Sequence, residues 1–338
     1  LGHGSRRPTP FKDSNMNTLV ITGIGGFIGL RMAERALAAG WQVRGIDISA
    51  AAAQRAQAMG AEVSVADIND ITAITTLCQG ADFVFHTAAI VAEDGLRADY
   101  ERVNIEGTRT VCRAAQQSGV KRLVHLSSVM VYGFDFPADV SEDGPVNGQG
   151  NVYNDTKLAS EQVALSFNTA DALEVVVIRP GDVYGIGSQP WIERPLALLK
   201  AHQFALPDGG RGVINHVHVD NLIDAVFLAF EKSVAGHAFN VTDGVATPCH
   251  QYFAYHAEWA NRRLLKLPAP LLMGMVKAGQ LGASLIGKPA PASPAGIRFL
   301  QRKHRYSISK AQQLLGYQPN INLNTGMTAL ATYYNKKG

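Results

Sequence analysis

Two hydrophobic rhythms alternate along the chain from Met16 onward. "TLVIT" (Thr18–Thr22) is a continuous apolar, β-branched run, the pattern of a strand buried on both faces. "FIGLRMAERALAAG" then spaces its apolar residues at helical intervals and stops at Gly40. "WQVRGID" reads as a second strand, an alanine-rich helix follows over residues 50–59, and "AEVSVAD" holds a third strand. Further strands fall at "ADFVFHT", "KRLVHLSS" and "LEVVVIRP", with intervals long enough for crossover helices. Alternation of this kind predicts an α/β fold of Rossmann type, a doubly wound parallel sheet with helices on both faces.

After Pro180 the pattern changes. Glycine and proline become frequent, helical stretches shorten, and strand candidates remain only at "VINHVHV" (213–219) and "HAFNVT" (237–242). The expected organisation is a dinucleotide-binding domain over 16–184 plus 219–243, and a smaller C-terminal substrate lobe over 185–218 plus 244–338. The leader "LGHGSRRPTPFKDSN" (1–15) has no apolar run and reads as an expression scar or tag outside the fold, not as a targeting peptide. No stretch reaches the ~18 uninterrupted apolar residues of a spanning helix. The nearest, Leu271 to Gly287, is broken by Lys277, Gln280 and four glycines and reads as a cap or core helix pair.

Composition narrows the classes. The 338 residues are 46% hydrophobic and 17% charged, enough for a large core. With 31 basic and 28 acidic residues the net charge is +3, which argues against a nucleic-acid partner. Cys78, Cys112 and Cys249 are far apart and odd in number, so they read as reduced thiols of a cytoplasmic protein.

Candidate chemistry begins at "TGIGGFIG", between the first strand and the first helix. Gly23, Gly26 and Gly29 permit a sharp turn, a close approach by a pyrophosphate, and tight helix–sheet packing, while the helix N-terminus offers free N–H groups. The spacing is G-x-x-G-x-x-G, and a plain tight turn is the bland alternative. Asp47 ends the second strand, where a carboxylate accepts from an adenosine ribose and repels a 2′-phosphate. No arginine stands at Ile48 or Ser49, and Arg44 should point to the opposite face, so NAD is expected over NADP. Asp67 and Ile68 end the third strand near a place for adenine; a solvated strand-end aspartate explains Asp67 equally well.

Several spaced motifs then agree, and the chain resembles an extended short-chain dehydrogenase/reductase. They are "TGIGGFIG", "DI" at 67–68, "HTAA" at 86–89, "NIEGT" at 104–108, "SSVMVYG" at 127–133, "YNDTK" at 153–157, "RPGDVYG" at 179–185 and "HVHVDN" at 216–221, in the family's order. The resemblance implies Tyr153 as acid/base, Lys157 as its partner and ribose contact, and Ser128 as the hydroxyl on the substrate oxygen, with Ser127 the lesser alternative. It implies Asn104 as the holder of a relay water. It also implies Phe27, Ile28, Ala88, Ala89, Pro180 and Val183 along the dinucleotide. Homodimerisation through the helices carrying Asn104 and Tyr153 is a further implication.

The Tyr–Lys pair has a physical reading. A phenol titrates near 10 and needs about 4 kcal/mol of preference for its anion to act near neutrality. An ammonium group one helical turn away supplies that order of energy. Tyr153 would then take a proton from an alcohol as hydride leaves its carbon. A surface Tyr–Lys pair is the ordinary alternative.

For the substrate, Asp182 stands where sugar-nucleotide members of the family carry asparagine. Ile214 stands where they carry a phosphate-pairing arginine, and both are poor hosts for a diphosphate. "HVHVDNLIDAV", "FNVTDG" and "RYSISKAQQLLGYQPN" resemble 3β-hydroxysteroid and sterol dehydrogenase-like members. The expected activity is NAD-dependent oxidation or reduction of a lipophilic, sterol-like or cyclic alcohol or ketone. A nucleotide-sugar 4-epimerase or dehydratase and a non-catalytic NAD(P)-sensing binder are the rivals. Arg298, Arg302, Lys303 and Arg305 beside the apolar 271–287 stretch suggest a membrane-surface contact, against which a solvated basic face is favoured. His216 and His218 share a strand face, but no third ligand is evident, so no metal is expected.

Overall fold

The computed structural model describes residues 16–91, 95–285 and 292–335. Seven parallel strands form the central sheet: β1 (Thr18–Thr22), β2 (Gln42–Asp47), β3 (Glu62–Val65), β4 (Phe83–His86), β5 (Arg122–Leu126), β6 (Glu174–Pro180) and β7 (Ala238–Val241). Their spatial order is β7-β6-β5-β4-β1-β2-β3. The chain thus starts mid-sheet, runs outward to β3, and returns across β1 to build the other half. The strand order reverses between β1 and β4, where open α/β sheets place their ligands.

Strand periodicity explains the two cores. Leu19 and Ile21 of β1 join Val124, Leu126, Val176 and Ile178 on one face, under α1 (Phe27–Ala38). Val20 joins Val84, Leu123 and Val175 on the other, with α3 (Ile71–Cys78) and α4 (Gly107–Gln117); α2 (Ala50–Gln57) covers the β2–β3 edge. Successive side chains point to opposite faces, so a run apolar at every position must be covered twice.

α5 (Val152–Ser166) starts at an Asn151 cap whose side chain accepts from Asn154 N. After β6 the chain forms a short strand Asp182–Tyr184, later paired with His216–His218, and then α6 (Val219–Glu231), which packs onto the first core before β7. The predicted 213–219 strand is two pieces. Asn215 interrupts it because Asp182 N donates to Asn215 O and Asn215 N donates back to the Asp182 carboxylate. The C-terminal part packs α7 (Cys249–Trp259) and α9 (Leu323–Asn335) with Tyr184, Ile192, Leu206 and Ile214, while α8 (Ala269–Leu285) lies against the short strand Ala205–Pro207 and the helical turn Pro294–Phe299. α8 is one continuous helix where the sequence suggested a helix pair; residues 286–287 of that stretch, like the 1–15 leader, lie outside the described residues.

Candidate active site

The turn after β1 is built for close approach. Gly23 has φ +65°, and a β-carbon there would sit 2.9 Å from the Ala88 Cα; at Gly29 it would sit 2.3 Å from the Gly23 carbonyl oxygen. Only hydrogen fits. Gly26 caps α1 without a side chain, and the first turn holds no acidic residue, so the amides and positive end of the helix dipole stay available to an anion. Gly29 packs against the turn and does not line the cavity described below.

Two side chains hold the turn from the β2 side. The Asp47 carboxylate accepts from Gly25 N at 2.9 Å and Ser49 N at 3.0 Å, while Arg55 of α2 donates to Gly25 O at 2.7 Å. Arg44 donates to the carbonyls of Leu77 and Gln79, away from the turn. Sequence reasoning missed Arg55 because it lies eight residues past Asp47, on the next helix. Asp67 accepts from Asn69 and, at 2.7 Å, from Arg102; these bonds outweigh its partial burial and hold its carboxyl below the usual range.

At the C-terminal ends of β1 and β4, Thr22 Oγ1 pairs with His86 Nδ1 at 2.7 Å and accepts from Thr87 N and Ala88 N, fixing the strip that runs to Ile90. Asn104 grips the same strip. It lies in a π-helical turn, Glu101–Glu106, accepts from Ile90 N at 2.8 Å, and donates to Ile90 O and Thr156 Oγ1. Both ends of its amide are engaged with protein, and it does not line the cavity.

Ser128 and Tyr153 meet at the end of β5. Ser128 caps a short helical turn, accepting from Met130 N, and its hydroxyl lies close enough to act on the Tyr153 phenol. Ser127 turns away and donates to Glu161 at 2.7 Å, so Ser128 is the hydroxyl beside the phenol. Lys157 is buried and donates to the Leu126 carbonyl; burial pushes it down to about 8, opposed by the Glu161 charge. The phenol departs from the expectation. Burial raises Tyr153 above its ordinary value, against the pull of the nearby Ser128 hydroxyl, and the Lys157 charge is not what sets it. Spacing correctly put the two residues on one helix, but one of the three Lys157 donors goes to the backbone of β5.

These groups line one cavity of about 1600 Å³. It runs from Met59, Asp67 and Ile68 past Asp47, Gly23, Gly26, Phe27 and Ile28, along Ala88 and Ala89, to Ser128, Tyr153, Lys157, Pro180 and Val183. Beyond Tyr153 the wall is mostly apolar, with Met130, Phe134, Trp191, Phe204, Phe299 and Leu300, and Gln189, Arg194 and Gln203 are among its polar members. A ligand pocket commonly measures roughly 300–1,000 Å³, so this one has room for a dinucleotide and a second molecule. The glycine cradle, the uncapped α1 terminus and the strand-end carboxylates fit the dinucleotide.

Three other groups that the sequence singles out are engaged within the protein. Asp182 is no open carboxylate: Arg302 donates to it at 2.5 Å in the interior, and the guanidinium also lies 3.5 Å over the Phe299 ring. Of the basic cluster only Arg302 is buried; Arg298, Lys303 and Arg305 form the exposed face that the sequence favours, Arg298 pairing with Asp135 and Arg305 with Asp139. His216 is bound to Asp243 and Thr247, and His218 caps α6 by accepting from Asp220 N, so the two imidazoles serve different neighbours.

A model of the NAD dependent epimerase/dehydratase family matches residues 19–242. Among curated proteins, a 4-hydroxy-2-methyl-3-oxo-4-farnesyl-3,4-dihydroquinoline-1-oxide ketoreductase of Stigmatella aurantiaca is 27% identical, over 92% of this chain and 94% of that protein. A 3 beta-hydroxysteroid dehydrogenase/Delta 5→4-isomerase of Mycobacterium tuberculosis (strain ATCC 25618 / H37Rv) is 26% identical, over 95% and 91%. Among solved structures, a UDP-glucose 4-epimerase of Thermotoga maritima with UDP-glucose superimposes with a TM-score of 0.78 at 21% identity, over 95% of this chain and 99% of that one. That last likeness is one of fold.

Proposed function

The chain belongs to the NAD dependent epimerase/dehydratase family, and we propose that it oxidises or reduces a lipophilic, sterol-like or cyclic alcohol or ketone. The observation that carries this is the placement of the Ser128 hydroxyl and the Tyr153 phenol on one cavity wall, with Lys157 beside them, at the point where that wall turns from glycine cradle to aromatic and aliphatic side chains. Relatives named for a farnesylated quinoline ketone and for a steroid support the same substrate class.

Bound NAD supplies the carbon that accepts or gives hydride. Gly23–Ile28 and the α1 terminus would hold its pyrophosphate, Asp47 the adenosine ribose, Asp67 and Ile68 the adenine, and Lys157 the nicotinamide ribose. Ala88, Ala89, Pro180 and Val183 would flank its length. The carboxylate at Asp47 favours NAD over NADP. A phenol is protonated near neutrality, so Tyr153 is set to give a proton to a substrate carbonyl oxygen, to which Ser128 would also donate. In the oxidative direction Tyr153 must first lose that proton, and the protonated Lys157 one turn on stabilises the phenolate. Asn104 acts through Ile90, by fixing the strip between the two halves of the site.

A nucleotide-sugar 4-epimerase or dehydratase is the second reading, favoured by Arg194 on the cavity wall. The deciding experiment incubates the protein with NAD or NADH and a panel of sterols, cyclic and aryl ketones, and UDP-sugars. Net change in NADH absorbance with a lipophilic member supports the proposal. Sugar interconversion on retained NAD, with no net redox, overturns it.

A further inference from the structure

The near-neutral total hides a strong asymmetry. After Glu258 the chain contains no Asp or Glu, yet it holds 12 of the 31 Lys and Arg residues. Residues 259–338 therefore carry +12 and residues 1–258 carry −9. Three of those cations are neutralised by the Asp135, Asp139 and Asp182 carboxylates. Arg262, Arg263, Lys266 and Lys277 are exposed and have no acidic partner among the described residues.

These four flank an apolar face that the fold leaves open. In α8, Leu272 and Val276 point inward and line the cavity. Leu271, Met275 and Leu281, on the flank and far side of the helix, are 53%, 55% and 66% exposed, and Leu265 in the strand just before α8 is 52% exposed. A β-carbon on Gly274, Gly279 or Gly282 would meet nothing within 4 Å, so the open side is also smooth. A helix apolar all round is normally covered all round. Here one side is covered by the molecule, while the exposed side shares its helix with Lys277 and follows the exposed Arg262, Arg263 and Lys266 in the chain.

We propose that this face, α8 with the strand Leu265–Leu267 before it, docks on an anionic lipid bilayer with α8 lying along the interface. Apolar side chains entering the acyl boundary beside Lys and Arg at the headgroups is the pattern of interfacial helices. No described helix is long and apolar enough to cross a membrane, so the contact lies on the bilayer. A second copy fits the face poorly, because a two-fold contact sets the same cationic patch against itself. If the proposed substrate class is correct, docking also opens the apolar end of the cavity beside the lipid, but binding to the bilayer does not depend on that reading.

The test is flotation of the full chain with phosphatidylcholine vesicles, with and without phosphatidylserine, at low and high salt. Binding is expected only with phosphatidylserine and only at low salt. Each basic residue near an anionic surface contributes roughly fivefold, so Arg262→Ala/Arg263→Ala/Lys266→Ala should bind on the order of 100-fold more weakly. Leu271→Ser/Met275→Ser/Leu281→Ser should bind weakly too, with wild-type melting behaviour confirming that it folds. Absence of binding to phosphatidylserine vesicles at low salt overturns the proposal. So does wild-type binding by either variant, or a stable solution dimer that the serine variant dissociates. A steroid or ketone turnover assay on the same preparations reads the catalytic proposal separately.

Discussion

Arg302 sets its guanidinium 2.5 Å from the Asp182 carboxylate, with both side chains sealed from solvent. The pair ties the segment after β6 to the C-terminal lobe, and Asn215 N completes the carboxylate's coordination at 2.8 Å. Removing one member of such a pair strands the other charge in the interior, which costs about 3–5 kcal/mol, whereas removing both costs less. Arg302→Met is therefore expected to lower urea-unfolding stability by that amount. Asp182→Asn combined with Arg302→Met should recover part of it.

Tyr153 and Ser128 are expected to separate binding from chemistry. Tyr153→Phe keeps the ring and removes the proton, so turnover should fall on the order of 10²–10⁴-fold while NADH binding, read by fluorescence, persists. Ser128→Ala should lower kcat with a smaller change in KM. A Tyr153→Phe variant of undiminished activity retires the assignment.

Asp47 has two duties, one toward the turn and one toward the adenosine ribose. Asp47→Asn removes the charge that opposes a 2′-phosphate, so kcat/KM with NADP relative to NAD should rise. Because the same carboxylate anchors Gly25 N and Ser49 N, NAD affinity should fall alongside. Steady-state kinetics with both cofactors measures the ratio.

Buried imidazoles give the fold an acid limit. Burial, helped by the Lys157 charge, pushes His86 down to about 3 and His125 well below its ordinary value; burial alone takes His256 to about 4. A histidine whose folded value is depressed contributes its stability above the unfolded value, near 6.5, and loses it as pH falls toward the folded one. Unfolding free energy should thus drop below about pH 6.5 by about 1.4 kcal/mol per pH unit for each such group. His86→Asn and His125→Asn should each flatten that slope, measured by urea titration between about pH 6 and pH 4.

Legibility in the sequence followed distance along the chain. β1, the glycine turn and α1 are a local strand–turn–helix unit, and the sheet's strands announce themselves as uninterrupted apolar runs. The positions of Tyr153 and Lys157 are legible for the same reason. Their electrostatics are not, because the Leu126 carbonyl that engages Lys157 lies 31 residues away. Arg302 and Asp182 are 120 residues apart, so their pairing is invisible in the sequence and Arg302 reads there as part of a solvated basic face. The break at Asn215 was hidden because tertiary hydrogen bonds to Asp182, not local propensity, impose it.

β7 joins the sheet only through β6, and it does so after the chain has already formed its short strands at Asp182–Tyr184 and His216–His218. A fragment cut after Pro180 would keep the glycine turn and Tyr153 yet leave the hydrogen-bonding edge of β6 bare and the α6 side of its core open to water. Such an edge recruits other strands, so dissection there should yield inclusion bodies, and a dinucleotide-binding half is not separable as a soluble piece.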